Sequence, residues 1–278
     1  MYGAPMTIVR RNNVRVIGRG HTPMIFAHGY GCDQNMWRLI TPSFADEYKI
    51  VLYDLTGSGQ SDLSGYDRNK FSTLQGHATD LLEICDALDL SNAVVVGHSV
   101  SAMTGVLAAN RQPGRISSLV MVAPSPCYLN DGDYVGGFER PDIDGLLEFL
   151  DSNFLGWSTK MAPTIMGVPE QPKLAEELTN SFCRTDPEIA KHFGRVTFLS
   201  DHRANAKALV HPALILQCSH DIIAPLAVGE WLSRNMKCSE LVVMKATGHC
   251  PHLSAPAETI AAMRKFLAGI QSPRLVKP

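Results

Sequence analysis

The sequence has no long run of basic residues and no large excess of charge of either sign. Its 25 lysines and arginines are nearly matched by 27 aspartates and glutamates, which gives a formal net charge of −2 at pH 7. Proteins that bind nucleic acid gather positive charge on one face to neutralise phosphates. We therefore expect no nucleic-acid partner.

Long apolar runs are also absent. A helix needs about 20 consecutive, mostly apolar residues to cross a bilayer, and no segment approaches that length. The first residues, MYGAPMTIVRRNN, lack the apolar centre of a signal peptide. The sequence therefore predicts a cytoplasmic protein with no membrane partner.

Cysteine and glycine occur, but not in the patterns that bind metals or cofactors. The seven cysteines are an odd number, and none has CxxC or similar spacing. Intracellular thiols stay reduced, so we predict free thiols and no metal site. The loops HGYGCDQ (28–34) and TGSGQSD (56–62) contain G-x-G but lack the third glycine of a dinucleotide-binding turn. We therefore predict no cofactor.

Apolar runs alternate with helical patterns along most of the 278 residues. This alternation is typical of an α/β fold with a mostly parallel central sheet. An opening hairpin is predicted at 7–20, with its turn near Asn12 and Asn13. Later strands are predicted at 23–29, 48–55, 92–99, 116–125, 213–221 and 239–246, and helices at 73–90 and 254–271.

The pattern changes between residues 126 and 208, where helices are predicted at 145–163, 171–183 and 186–201 with no buried strand between them. We predict a core formed by 1–125 and 209–278, with 126–208 inserted as a helical lid. Such a lid would cover the carboxyl edge of the sheet, where open α/β folds bind ligands. The alternative is an insertion that merely thickens the domain.

One turn carries the signature of a nucleophile. The stretch VVVGHSVSAM (94–103) places Ser99 between a valine-rich strand and a helical pattern, the setting in which a G-x-S-x-G turn exposes a reactive serine. The second glycine of that pattern is replaced by Ser101, a small residue that could strain the turn but need not disable it. The alternative is an ordinary N-cap serine. We predict that Ser99 is a nucleophile.

A nucleophilic serine needs a base and an acid, which follow it in the order acid, then histidine, in this class of fold. Asp221 ends a predicted strand, and His249 follows the last one, directly after a glycine. We predict that these two residues complete a triad with Ser99. The rival bases are His252, nearer the final helix, and His220, which adjoins the acid.

Two further predictions concern the acid and the oxyanion. Asp54 and Asp201 are alternative acids, but both depart from the expected chain order.

The tetrahedral intermediate needs backbone donors, usually the N–H of the residue after the nucleophile and an N–H in an early glycine-containing loop. We predict the N–H groups of Val100 and Tyr30 as these donors.

Several motifs together carry a family resemblance that extends from about Ile8 to the final helix. They are FAHGYGCDQNMW, YDLTGSGQSD, VGHSV, MVAPSPCYLNDGDYVGGFE, SDHR, LILQCSHDIIAP and GHCPH. The sequence resembles the RsbQ-like α/β-hydrolases, which are bacterial stress-response hydrolases. It is similar, more distantly, to the plant karrikin and strigolactone receptors.

The resemblance implies an α/β-hydrolase core under a V-shaped lid of four helices, with the same triad and the same two amide donors. It also implies an apolar pocket lined by lid residues, and simple packing inside the lid is the alternative for each of them. Tyr30 stands where phenylalanine is common in the family, which would add a hydroxyl at the pocket mouth. The lid residues are Phe138, Trp157, Met161 and Phe198.

Two functions fit these observations. The first is a cofactor-independent serine hydrolase that cleaves a small, fairly apolar ester or lactone through an acyl-enzyme. The second is a signalling module that senses or generates a small ligand and engages a protein partner, of phosphatase type if the resemblance is followed. Both need the triad, so the sequence alone does not separate them.

Overall fold

The computed structural model describes residues 7–271, and seven strands in this range form one sheet. The strands are β1 (Arg15–Ile17), β2 (Thr22–Ala27), β3 (Tyr48–Tyr53), β4 (Ala93–His98), β5 (Ile116–Val122), β6 (Ala213–His220) and β7 (Ser239–Thr247). Their order across the sheet is β1-β3-β2-β4-β5-β6-β7. Only the pairing of β1 with β3 is antiparallel, so the predicted mostly parallel sheet is confirmed.

Helices connect the strands. They are α1 (Ile8–Arg11), α2 (Gln75–Ala87), α3 (Val100–Arg111), α4 (Arg140–Ser152), α5 (Phe154–Met166), α6 (Pro172–Arg184), α7 (Pro187–Leu199), α8 (Arg203–Ala208), α9 (Leu226–Asn235), α10 (Pro251–Ser254) and α11 (Pro256–Gln271). No helix in the described part of the chain is both long and apolar enough to span a bilayer.

Every residue of β4 is buried, because helices cover both faces of the sheet. Val94 and Val96 belong to one apolar layer, which includes α11 and much of α4–α7. Val95 belongs to the other layer, with α2, α3 and α9. The sheet thus forms a rigid support, and the carboxyl ends of its central strands meet at one edge.

Of the helices between β5 and β6, the first four, α4–α7, follow one another within residues 140–199 with no strand between them. We call them the insertion helices. The predicted lid range also includes α8, but α8 packs against α3 and α9 of the core. The boundaries at 125 and 208, and the role of the insertion as a lid, stay predictions.

Two predictions about elements are wrong. The opening hairpin is replaced by the short helix α1 and by β1, which pairs with β3. The turn is in the predicted place, since Asn13 has φ 46°. The single helix predicted at 145–163 is two helices separated by Asn153, whose side chain accepts from the Gly156 N–H and caps α5.

The cysteines are all free thiols, as predicted. Five of the seven are buried, and the two exposed ones are Cys183 and Cys238.

Candidate active site

Ser99 stands at the turn between β4 and α3, with φ 55° and ψ −124°. Residues other than glycine rarely adopt this backbone conformation, and such strain persists only where the surrounding structure enforces it. The turn also needs glycine two residues earlier, because a Cβ built on Gly97 would lie 2.5 Å from the Ser101 carbonyl oxygen. The sharp strand–turn–helix predicted from the sequence is therefore present.

Ser101 occupies the position of the missing second glycine without collision. It is fully buried, and its Oγ donates a hydrogen bond to the carbonyl oxygen of His28, 2.5 Å away. His28 begins the loop that carries Tyr30. The hydroxyl therefore ties the first turn of α3 to that loop, which is a structural contact that glycine could not make.

Ser99, His249 and Asp221 form one hydrogen-bonded chain. His249 Nε2 lies 2.7 Å from Ser99 Oγ, and His249 Nδ1 lies 2.7 Å from Asp221 Oδ2. Because a carboxylate only accepts, Nδ1 carries the proton, and Nε2 is left to accept from the serine. The other carboxylate oxygen of Asp221 accepts from the N–H groups of Ile223 and Ala224, at 2.8 and 3.1 Å. The imidazole is thus held in the tautomer that a general base requires.

The backbone of His249 is also held on both sides. Its N–H donates to the carbonyl of Ile165 in α5, and its carbonyl accepts from His98 Nε2, each at 2.8 Å. The preceding Gly248 has φ 78°, and a Cβ there would lie 1.9 Å from the Met166 carbonyl oxygen. The loop therefore sits directly against the end of an insertion helix.

The rival residues are engaged elsewhere. His252 packs against Trp37 with ring centroids 4.7 Å apart, and burial lowers its pKa to about 3. His220 is exposed. Asp54 accepts from Asn13 and from backbone amides of neighbouring loops, and Asp201 pairs with Arg203 at the surface. None of these four side chains is hydrogen-bonded to Ser99 Oγ, which pairs with His249 and Tyr128.

The two predicted amide donors belong to different elements. Val100 is the first residue of α3, so its N–H is one of the four that a helix leaves without an internal partner. Tyr30 lies in the loop after β2, and its hydroxyl donates to the Ala190 carbonyl in α7, 2.9 Å away. The hydroxyl is therefore bonded to an insertion helix, and the donor roles stay predictions.

A small cavity of about 30 Å³ opens onto Ser99 and His249. Of the four lid residues named from the resemblance, Trp157 and Phe198 are among its walls, whereas Phe138 and Met161 are not. Phe138 packs behind the wall residue Phe198, with ring centroids 6.5 Å apart. A pocket role for Phe138 and for Met161 stays a prediction. The other walls are Tyr30, Cys32, His98, Tyr128, Ile165, Leu178, Phe182, Thr197, Ile223 and Cys250.

Tyr128 is a wall residue that the sequence reasoning missed. Its hydroxyl lies 3.4 Å from Ser99 Oγ, a long contact, and burial raises its pKa to about 12. Its only sequence signal is its place in the motif MVAPSPCYLNDGDYVGGFE, three residues after a predicted strand. The phenol therefore stays protonated and adds a donor beside the serine.

Three buried residues near the site, His98, Cys250 and His252, have potential ligand atoms within 4.8 Å of one another. Metal binding conflicts with the surroundings of His98, whose Nε2 already donates to a carbonyl. Its Nδ1 faces Gly29, where an added Cβ would approach to 2.4 Å. Burial also raises the pKa of the Cys250 thiol well above its usual range. The trio does not fit a metal ion without rearrangement.

Comparison with known proteins gives close matches along nearly the whole chain. The sequence model described as "Alpha/beta hydrolase family" matches residues 24–262. Strigolactone esterase D14 from Arabidopsis thaliana is 36% identical over 261 residues, covering 94% of this chain and 97% of the relative. Karrikin insensitive 2 receptor CA from Petunia hybrida is 35% identical over 257 residues, covering 92% and 95%. A solved hydrolase from Oleispira antarctica superposes with a TM-score of 0.92 at 40% identity, covering 94% and 96%.

Proposed function

The chain belongs to the alpha/beta hydrolase family and is a serine hydrolase, and from this we propose that Ser99, His249 and Asp221 cleave a small, largely apolar ester or lactone. One observation carries the proposal. The hydrogen-bonded chain from Asp221 through His249 ends at Ser99 Oγ, and Ser99 faces an apolar cavity. A serine hydroxyl with such a base beside it is an activated nucleophile.

In the acylation step, Ser99 Oγ attacks the carbonyl carbon while its proton moves to His249 Nε2. A bond forms between Oγ and the carbon, and the carbonyl electrons move onto oxygen. The N–H groups of Val100 and Tyr30 would stabilise this oxyanion, and Asp221 stabilises the imidazolium. Collapse of the intermediate breaks the ester bond, and the leaving alkoxide takes the proton from Nε2.

Deacylation repeats these steps with water. His249 Nε2 removes a proton from a water molecule, whose oxygen attacks the acyl carbon of the ester on Ser99. The second intermediate collapses, the acid leaves, and the proton returns to Ser99 Oγ. For a lactone, the alcohol and the acid remain one molecule after hydrolysis.

The cavity walls support the substrate class. They are mainly aromatic and aliphatic, and the few polar groups, Thr197 and the Tyr128 hydroxyl among them, are not charged. Apolar walls with a few placed polar groups bind small hydrophobic ligands. Tyr30 and the wall residues of α5–α7 enclose the cavity from above, which supports a lid role for residues 126–208.

The proposal is tested by mass spectrometry of the intact protein after incubation with a panel of short esters and lactones. We expect a covalent mass increase equal to one acyl group, located on the peptide containing Ser99, and absent from Ser99→Ala. Steady-state hydrolysis of the same compounds gives the preferred acyl length. Failure of every compound to acylate or turn over would contradict the proposal.

A receptor function is the second candidate, because relatives named as receptors are 35% identical to this chain over 92% of its length. In this case the insertion helices would present a surface to a regulatory protein, of phosphatase type if the RsbQ-like resemblance is followed. Slow turnover together with a ligand-dependent rise in melting temperature would favour this candidate. Rapid turnover of many esters would favour the enzyme.

We also propose a cytoplasmic location, which the free thiols support because exposed ones such as Cys183 stay reduced there. Fractionation of the source cells tests it.

A further inference from the structure

His98, the residue directly before the nucleophile, contacts the base from behind. It ends β4 and is buried, and its Nε2 lies 2.8 Å from the carbonyl oxygen of His249. The two residues are 151 positions apart in the chain. The mechanism described above assigns no task to this imidazole.

The hydrogen bond defines the state of His98. A carbonyl oxygen only accepts, so Nε2 must carry a proton. The other nitrogen, Nδ1, has no hydrogen-bond partner and faces Gly29, whose lack of a side chain leaves room for the ring. Burial lowers the pKa of His98 well below its usual range, so the ring is neutral at pH 7. His98 is therefore a neutral donor with one fixed tautomer.

The sheet topology gives this bond its importance. His249 follows β7, and β5 and β6 lie between β7 and β4, the strand that ends directly before Ser99. Three strand spacings of about 4.8 Å separate β7 from β4, roughly 14 Å in total. The loop after β7 must cross this distance to bring the imidazole to the serine. The carbonyl of His249 in this loop is bonded to His98, which directly precedes the nucleophile.

We propose that His98 is a positioning residue for the catalytic base. This inference rests on the proposed roles of Ser99 and His249. The strand end that leads into Ser99 also holds the His249 main chain, so the distance from Oγ to Nε2 is set by two adjacent residues, His98 at the end of β4 and Ser99 in the turn after it. The N–H of His249 is held by Ile165, which leaves His98 as the partner of its carbonyl.

Kinetics of three variants test the proposal. His98→Leu removes the donor at similar volume, and we expect kcat to fall on the order of 10- to 100-fold, since small misplacements of a catalytic group cost that much. KM should change less than about threefold, because ground-state binding is retained. His98→Gln restores an N–H donor and should recover most of the lost kcat.

His252→Leu is the matched control. His252 is equally buried, and its ring centroid is 4.5 Å from that of His98, but neither of its nitrogens has a hydrogen-bond partner. Its removal should leave kcat near that of the parent protein. Equal losses of kcat in His98→Leu and His252→Leu would overturn the inference, as would a rise in KM alone, which would make His98 a substrate contact.

A spectroscopic signature separates positioning from mere stability. The proton on His249 Nδ1, bonded to Asp221, should give a low-field proton NMR signal that broadens or disappears in His98→Leu and persists in His98→Gln. An unchanged signal in His98→Leu would contradict the inference. Full activity of His249→Ala would instead refute the proposed function itself, so the two failures are distinguishable.

Discussion

The backbone of Ser99, with φ 55°, exposes Oγ to the cavity and aligns it with His249 Nε2. Replacing Ser99 by alanine removes only the hydroxyl, so the fold and the cavity should remain. We expect kcat for a chromogenic short-chain ester to fall on the order of 10⁴- to 10⁶-fold, with residual catalysis from the oxyanion donors. His249→Ala should be comparably severe, because an unactivated serine attacks slowly.

His252→Ala is the control for His249→Ala, since both residues are buried and lie three positions apart. Its activity should stay within about tenfold of the parent, a change of about 1.4 kcal/mol in the barrier. Circular dichroism verifies folding of all variants. An inactive but folded His252→Ala beside an active His249→Ala would reverse the assignment of the base.

Ser101→Ala tests the hydrogen bond that replaces the second glycine of the turn. The substitution leaves the buried His28 carbonyl without the Ser101 donor, which should lower the free energy of unfolding by about 1 to 3 kcal/mol. Because Ser101 is bonded away from the reacting atoms, activity should change less than tenfold. Urea denaturation and ester hydrolysis measure the two effects. A large loss of kcat at unchanged stability would show that the hydroxyl takes part in the chemistry.

At the scale of elements, the loop that carries His249 packs against the carboxyl end of α5. Gly248→Ala would place a Cβ 1.9 Å from the Met166 carbonyl oxygen, at a φ of 78°. The loop or the helix must shift, so we expect kcat to fall more than about tenfold, because the base moves with the loop. Ester hydrolysis and thermal melting measure the result.

Gly145→Ala is the matched control for Gly248→Ala. An added Cβ on Gly145 meets no atom within 4 Å, and the residue lies inside α4. Alanine there should leave kcat unchanged and raise stability by about 0.5 to 1 kcal/mol. Equal activity of the two variants would mean that the contact between the loop and α5 does not affect the base.

Trp157→Ala tests the cavity wall contributed by α5. Trp157 packs edge-on against Tyr30 and close to Phe182, with ring centroids 6.0 and 5.3 Å apart. Its removal takes away apolar surface that contacts ground and transition states alike, so KM for short acyl groups should rise more than kcat falls. Leu155→Ala, an exposed position on the same helix, is the control. A fall in kcat at constant KM would remove Trp157 from the binding wall.

The elements that the sequence mispredicted are those whose conformation depends on distant contacts. Residues 7–9 are β-branched, which favours a strand. However, Asn12 is buried and bonds to the Asp54 carbonyl, and Arg11 reaches Asp80 of α2. These contacts anchor a short helix beside the core. By contrast, the break at Asn153 has a local cause, an asparagine N-cap, and could have been predicted.

At the scale of the whole molecule, buried histidines couple stability to pH. Burial lowers the pKa of His77 and of His252 to about 3, whereas the unfolded chain has values near 6.5. Between about pH 6.5 and 3 the unfolded state therefore binds protons that the folded state does not, and the free energy of unfolding falls as pH falls. Each histidine contributes a slope of about 1.4 kcal/mol per pH unit.

We therefore expect the melting temperature to drop steadily between pH 6 and pH 4, and to change little above pH 7. His77→Gln should make the decrease shallower, because it removes the contribution of one buried histidine to the slope. Thermal melts monitored by circular dichroism at each pH provide the measurement. A melting temperature independent of pH from 7 to 4 would contradict the linkage.

The molecule-wide arrangement also explains how far the sequence could predict the site. Ser99, Asp221 and His249 each follow a strand, and parallel strands end at one edge of the sheet. Their positions after predicted strands and their order along the chain were therefore enough to predict the triad. The contact of His98 with His249 joins residues 151 positions apart and has no local pattern. Tyr128 belongs to a motif of the family resemblance, but nothing in that motif shows that its hydroxyl reaches Ser99 in the folded chain.

The contact between Gly248 and Met166 has a consequence for protein engineering. A chimera that exchanged the insertion helices for those of a relative would also exchange the carbonyls of Ile165 and Met166, on which the loop with His249 rests. The graft would then alter the catalytic centre even though every triad residue came from the recipient. A transplant that aims to change substrate choice alone has to keep the last turn of α5 from the recipient together with its Gly248.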